Sequence, residues 1–229
     1  SILVTYPNTV VIGYHSGGND PFAIFPGSGI FSMMGYQASP TACINRQNHP
    51  GNGGVYPYMT YAMWSARTAL LYNTSPLTVI DVVITSKNYN ASTRELTAAV
   101  NSTAIQNLTG QYKIHFIITE DNIIYPQNHY EPCGPNGYDS NYIHKWVPRV
   151  ITNGANGENL NPGVIWNQNQ TFTRNVAYTL SSSWNADNCK FIAVVYRDSA
   201  LGIFASTVQQ SVKTSVTGPL GITAIGKLP

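Results

Sequence analysis

The sequence predicts a mainly β fold with a small α/β part: an antiparallel β-sandwich over residues 76–213, an α/β region at 1–75 before it, and an extended tail or linker at 214–229. Three observations predict it. After residue 75, about seven short runs rich in β-branched and aromatic residues recur with turn clusters between them and without helical periodicity. Before residue 75 that texture is missing, and the best helical spacing in the chain lies there. The chain has 229 residues, 43% of them apolar, enough for a substantial core.

Thr9-Val-Val-Ile-Gly-Tyr-His15 is a nearly continuous apolar run, the pattern of a strand buried on both faces. Ser16-Gly-Gly-Asn-Asp-Pro21 ends it as a loop, and Phe22 to Tyr36 is so dotted with Gly and Pro that any helix there is short. Ser39-Pro-Thr-Ala-Cys-Ile-Asn-Arg46 reads as a second strand entered through a proline. A Gly/Asn/Pro loop follows from His49 to Tyr58. Residues 59–72 place Met59, Met63, Ala66 and Leu70 at helical spacing, which predicts the best helix in the chain.

Leu77–Thr85 is a strand dense in Val and Ile, Glu95–Ile105 alternates loosely, and Gln111–Thr119 is another clear strand. Further strands are expected near 142–151, 171–180, 190–197 and 201–212. Turn clusters at 86–92, 106–110, 152–157 and 183–187 separate them. The tail, with Gly218-Pro-Leu-Gly and a final Gly-Lys-Leu-Pro, reads either as a connector that engages a neighbour or as a frayed end.

Only 10% of the residues are charged, against roughly 25% in an average soluble domain. Asn, Thr, Ser, Gln and 15 tyrosines supply the polarity instead, a surface common among secreted and cell-surface β proteins. The 12 basic and 10 acidic residues are scattered, so the Lys/Arg stripe that meets nucleic-acid phosphates is missing. No apolar run approaches the ~20 residues of a membrane-spanning helix. The chain starts at Ser1 without Met or a targeting segment, and reads as a processed piece of a longer exported precursor.

The three cysteines, Cys43, Cys133 and Cys189, contain no Cys-x-x-Cys pair, and no metal or cofactor is implied. In an oxidising compartment, Cys133 and Cys189, each in a loop-like stretch beside the same predicted domain, are the preferred disulfide. Cys43 reads either as a redox thiol or, preferably, as a buried strand cysteine packing like a small hydrophobe. Glu120, Asp121, Gln127, His144 and Arg149 form the main polar constellation. Two carboxylates and a His can do acid–base work or bind a cation. Nothing here supplies a nucleophile or an oxyanion motif, so the reading preferred is structural, with Glu120 or Asp121 pairing Arg149 across strands. His15 beside Asp20 is read in the same way, as a residue holding a loop.

Tyr56, Tyr58, Tyr61 and Trp64 crowd one loop–helix segment that would suit a sugar or peptide platform, or simple core filling. Asn73, Asn90, Asn101, Asn107 and Asn169 stand in Asn-x-Ser/Thr triplets, and Asp198-Ser199-Ala200 matches a short Asp-Ser/Thr-small pattern for O-glycan attachment in exported proteins, with Ser199 the acceptor.

Ser39-Pro40-Thr41, leading into an apolar strand, resembles the cis-proline loop of thioredoxin-fold proteins, with Pro40 the cis-proline candidate. The resemblance is wider than this motif. Tyr6-Pro-Asn-Thr-Val-Val-Ile-Gly-Tyr-His-Ser-Gly-Gly, then Ser39–Arg46, Ile118-Thr-Glu-Asp-Asn-Ile-Ile-Tyr-Pro-Gln127 and Tyr142-Ile-His-Lys-Trp-Val-Pro-Arg149 together resemble the outer membrane protein family of Bacteroidota named for its mass of twenty-eight kilodaltons. The resemblance spans roughly residues 6 to 212. It implies a partial thioredoxin-like region followed by a β-sandwich, in a protein exported to the cell surface or outer membrane. It implies no catalytic residue, and the missing Cys-x-x-Cys segment is the departure from the thioredoxin pattern.

The expectation is a non-catalytic exported protein of adhesion, scaffolding or self-assembly, with protein partners, copies of itself or surface glycans to contact, and without nucleic acid. Two alternatives stay open: a thiol-disulfide oxidoreductase whose active-site segment lies upstream of Ser1, and a carbohydrate-binding module.

Overall fold

A computed structural model of the chain describes residues 2–15, 20–23, 40–49, 57–74, 78–129, 137–201 and 205–220. Among the described residues seven strands of five residues or more carry the fold: β1 (Ile80–Asn90), β2 (Glu95–Ala104), β3 (Tyr112–Glu120), β4 (Val147–Ile151), β5 (Thr171–Thr179), β6 (Cys189–Arg197) and β7 (Val208–Ser215). They form two antiparallel sheets, one in the order β5–β2–β1 and the other in the order β4–β3–β6–β7. The fold class is mainly β, an antiparallel sandwich with a small α/β part before it.

The three-stranded sheet follows the alternation of its sequence. In β2, Leu96, Ala98, Val100, Ser102 and Ala104 face inward and are buried, while the residues between them are half-buried. Residues 86–90 continue β1, where a turn was expected, and the turn falls at 91–94. Asn90 Oδ1 accepts from the amides of Ser92 and Thr93, and Arg94 closes the turn at φ +58.

The second sheet is buried on both faces. Ile114, Phe116 and Ile118 of β3 and Phe191, Ala193 and Val195 of β6 pack inward, against the inner face of the first sheet. The alternate residues Ile117 and Ile192, with Val194 and Ile151, form a second cluster on the outer face. Val10, Ile12 and Tyr14 cover it. Residues 9–15 are therefore not the buried strand their apolar run predicts. Gly13 N donates to Trp146 O (2.8 Å) and Lys213 Nζ to Thr9 O (2.8 Å), so the segment lies on the sheet rather than in it.

The proline-led strand at 39–46 is only Thr41–Ala42, bridged to Met59–Thr60, and Cys43 beyond it is exposed rather than buried in a strand. The helix, α1 (Trp64–Thr74), forms after a short 3-10 turn; of the residues at helical spacing Met59 is buried ahead of it, Met63, Ala66 and Leu70 are exposed, and within the helix Leu71 is the buried residue. The start of the tail is no free arm. Val216 is fully buried, and Lys87 Nζ donates to the carbonyls of Ser215 (2.6 Å), Val216 (2.9 Å) and Gly218. Residues 221–229 lie outside the described residues.

Between β3 and β4 the antiparallel pairing runs on beyond the sandwich. Ile123–Ile124 pairs with Ile143–His144, and Gln127–His129 with Gly137–Asp139, making a two-stranded arm.

Candidate functional site

Two polar clusters lie where the N-terminal segments meet the sandwich. The first is at the root of the arm. Glu120 ends β3, and Arg149 occupies the irregular step between Pro148 and Val150 of β4. Glu120 Oε2 lies 3.4 Å from Arg149 Nε, with both side chains largely buried, and Oε1 accepts from Asn185 N at 2.7 Å. Next to it, Asp121 accepts from Trp146 N (2.6 Å) and from Lys190 Nζ (2.5 Å). The Arg149 guanidinium lies over the rings of Trp184 (5.3 Å) and Phe22 (5.9 Å).

Phe22 connects this group to two histidines. Its ring meets His144 at 5.0 Å, His15 at 5.1 Å and Tyr125 at 5.3 Å. His15 Nδ1 lies 2.9 Å from Asp20 Oδ2, while Asp20 Oδ1 accepts from Phe22 N. His144 Nε2 donates to Tyr125 O at 3.0 Å, and burial lowers its pKa. Gln127 stands apart, on the arm, its amide donating to Asn128 O. The four other residues thus gather at one end of the sandwich, each bound to a backbone group or a counter-charge. That arrangement holds segments together; it leaves no carboxylate beside a free nucleophile.

The second cluster is on the outer face of the sheet β4–β3–β6–β7, and sequence reasoning missed it. Asn45 and Arg46 both take positive φ (51° each) in a tight turn, closed by Gln47 N donating to Ile44 O. The turn sets the Arg46 guanidinium 4.7 Å above the Tyr196 ring and 3.2 Å from His115 Nδ1. The His115 and Tyr196 rings lie 4.8 Å apart. Arg46 therefore fixes the imidazole tautomer: Nδ1 accepts, and Nε2 donates to Ala155 O at 2.9 Å. Burial, reinforced by the Arg46 charge, drops the His115 pKa to about 3. Tyr196 donates its hydroxyl to Asn156 O at 2.6 Å. The signal available in the sequence was His115 itself, a titratable residue within an apolar β run.

The other predicted residues are dispersed. Tyr56 and Cys133 lie outside the described residues. Tyr58 is half-buried; Tyr61 and Trp64 meet edge-to-face at 5.1 Å, and the Trp64 indole donates to Met59 O, which ties both to the start of the helix. Pro40 is exposed, immediately before the Thr41–Ala42 bridge. Cys189 carries a free thiol deep in the core, its pKa raised to about 12 by burial and the Glu120 charge. Asn73, Asn90, Asn107 and Asn169 are exposed, whereas Asn101 and Ser199 are half-buried. Asn90, Asn101 and Asn107 use their side-chain oxygens in local hydrogen bonds. Among the described residues no three His, Cys, Asp or Glu side chains group as a metal site.

The family model of outer membrane protein Omp28 matches residues 30–216. The chain belongs to the Omp28 family. Membership places it at the outer-membrane surface. Among solved structures this Omp28-family chain is similar to HBP35 of Porphyromonas gingivalis, with a TM-score of 0.63 at 14% identity. That match covers 91% of this chain and 66% of HBP35, so the chain spans just under two thirds of that protein's length. The likeness is one of fold and takes in the partial thioredoxin-like region before the sandwich. A domain of the outer membrane lipoprotein Omp28 from the same organism matches at 16% identity over 62% of this chain and 90% of its own, with a TM-score of 0.34. No curated protein matches the chain. Among the described residues no helix is long and apolar enough to cross a membrane.

Proposed function

We propose that this chain is a non-catalytic surface protein that works by contact, in adhesion, scaffolding or self-assembly at the outer membrane. The observation that carries the proposal is the two-stranded arm. Ile124 and Ile143 face each other across its ladder and are 65% and 51% exposed, and Tyr125, Tyr138 and Tyr142 add exposed rings. An isolated two-stranded ribbon is marginal in water and does not carry apolar side chains outward for its own stability. The fixed hydrogen bonds of Glu120, Asp121 and His144 favour the same reading, because groups held in structural bonds are poorly placed for proton transfer.

The five exposed arm residues offer on the order of 100 Å² each. The arm alone therefore falls short of the roughly 800 Å² per partner of a stable interface, and contact through it is reversible. Sedimentation velocity over a concentration series tests this. The wild type should self-associate with rising concentration, and Ile124→Asn with Ile143→Asn should stay monomeric with an unchanged circular dichroism spectrum. A wild type that is monomeric throughout, or an arm variant that associates equally well, overturns the proposal.

A further inference from the structure

A groove of about 520 Å³ opens at the end of the sandwich, between the β1–β2 turn and the loop before β6, lined by Tyr89, Arg94, Trp184, Asn185, Asp187 and Thr217 among others. Two of its side chains are held rigidly from behind. Arg94 donates Nε to Leu180 O (3.3 Å) and Nη2 to the carbonyls of Ser181 and Trp184 (2.7 Å each). Trp184 is buried between the stacked Tyr178 ring (6.0 Å, 11°) and the Arg149 guanidinium.

What these two residues leave unused is informative. Arg94 Nη1 and the Trp184 indole N–H donate to no described residue, and neither is among the buried polar atoms that lack a partner. The Tyr89 hydroxyl is in the same position. Asn185 uses its side-chain oxygen to accept from Asp187 N, which leaves its amide NH2 free. The Asp187 carboxylate has no ion pair among the described residues. Donors outnumber acceptors, and the Arg94 and Asp187 charges cancel.

We infer that this groove binds a neutral polyhydroxylated ligand, a sugar residue of a surface polysaccharide. Each sugar hydroxyl both donates and accepts, so one ring can meet the Arg94, Trp184 and Tyr89 donors while giving a hydrogen bond to Asp187. An anion would be opposed by Asp187, and a cation by Arg94. An apolar ligand would leave all of these groups unpaired, which costs roughly 1–3 kcal/mol each. Because Arg94 and Trp184 are already fixed by backbone carbonyls and neighbouring rings, ordering them on binding costs little. The site is far from the arm's exposed apolar residues in the chain and stands or falls independently of the assembly proposal.

The test is saturation-transfer NMR on the wild-type chain with glucose, galactose and N-acetylglucosamine, each titrated through about 1 mM, the range expected of a shallow site with a few hydrogen bonds. At least one sugar should bind saturably. Asp187→Ala removes a charged acceptor at an exposed position and should weaken binding roughly 10-fold; Tyr89→Phe, which keeps the packed ring, should also weaken it. Both variants should melt with the wild type. No saturable binding by any of the three sugars overturns the inference, as does binding that neither variant changes.

Discussion

Lowering the pH from about 7 to about 5 should weaken the fold through one side chain, His115. The imidazole is fully buried, accepts from Arg46 at Nδ1 and donates to Ala155 O from Nε2. Burial first, then the Arg46 charge, hold its pKa at about 3, against 6.5 for an unperturbed histidine; the Ala155 hydrogen bond opposes the shift and the Lys113 charge adds to it. The folded ring stays neutral throughout this range, while the unfolded chain takes up a proton below 6.5. The stability is therefore fully present above 6.5 and is lost as the pH falls toward 3. At 1.36 kcal/mol per unit, the roughly 1.5 units between 6.5 and 5 amount to about 2 kcal/mol.

Urea unfolding followed by tryptophan fluorescence at the two pH values measures the loss. His115→Gln is the control, since its amide can still accept from Arg46 and donate to Ala155 without titrating. The acid-induced loss should be about 2 kcal/mol smaller in the variant than in the wild type. His144, also lowered, shifts both proteins in the same direction and cancels in the comparison. An equal loss in wild type and variant would refute the assignment of Arg46, His115 and Tyr196 as a neutral-histidine latch.

Three further outcomes follow from the geometry. Glu120→Ala strands the largely buried Arg149 guanidinium and should cost about 3 kcal/mol in urea unfolding; a loss under about 1 kcal/mol would mean that the pair is screened like a surface bridge. Gly157 and Gly154 both have positive φ, but a Cβ at 157 would lie 2.6 Å from Ile114 O and 2.8 Å from His115 Cδ2, while one at 154 meets nothing within 4 Å. Gly154→Ala should therefore cost about 1 kcal/mol and Gly157→Ala distinctly more, and equal melting temperatures for the two would contradict the packing. Cys189, buried and with its pKa raised to about 12, should resist iodoacetamide until the protein unfolds. A Cys133–Cys189 linked peptide under non-reducing conditions would refute the free thiol.

Much of the sandwich was readable from residue order, for a local reason. The runs that became β2 and β5 alternate in burial with period two, and those that became β3 and β6 are dense in β-branched and aromatic residues; both properties belong to the strand itself. The near-continuous apolar runs of β3 and β6 are covered on both faces, as such runs are in buried sheets. The same rule failed at residues 9–15, whose equally apolar run covers a sheet without joining it. Composition records that a segment is buried but not what it is buried against. The helix was legible but its packed face was not: Met63 and Leu70 keep helical spacing, yet the residue that packs is Leu71, set by the neighbours available to it.

The polar constellation divides along the same line. Glu120, Asp121, His144 and Arg149 could be noted as chemically capable residues, but residue order did not bring in Phe22, His15 and Asp20, which meet them from about a hundred positions away. Arg46, His115 and Tyr196 escaped notice because each sits within an unremarkable segment, and their meaning is the 3–5 Å distances between them. The sequence by itself determined that the chain is β-rich, poor in charge and a member of an outer-membrane family, since these follow from composition, strand periodicity and local motifs. Only the tertiary structure decided which apolar runs pair and which merely cover, and which ionisable groups are spent in holding segments together. The physical reason is that hydrogen-bond partners and desolvation depend on atoms brought close in space, whose positions no local pattern encodes.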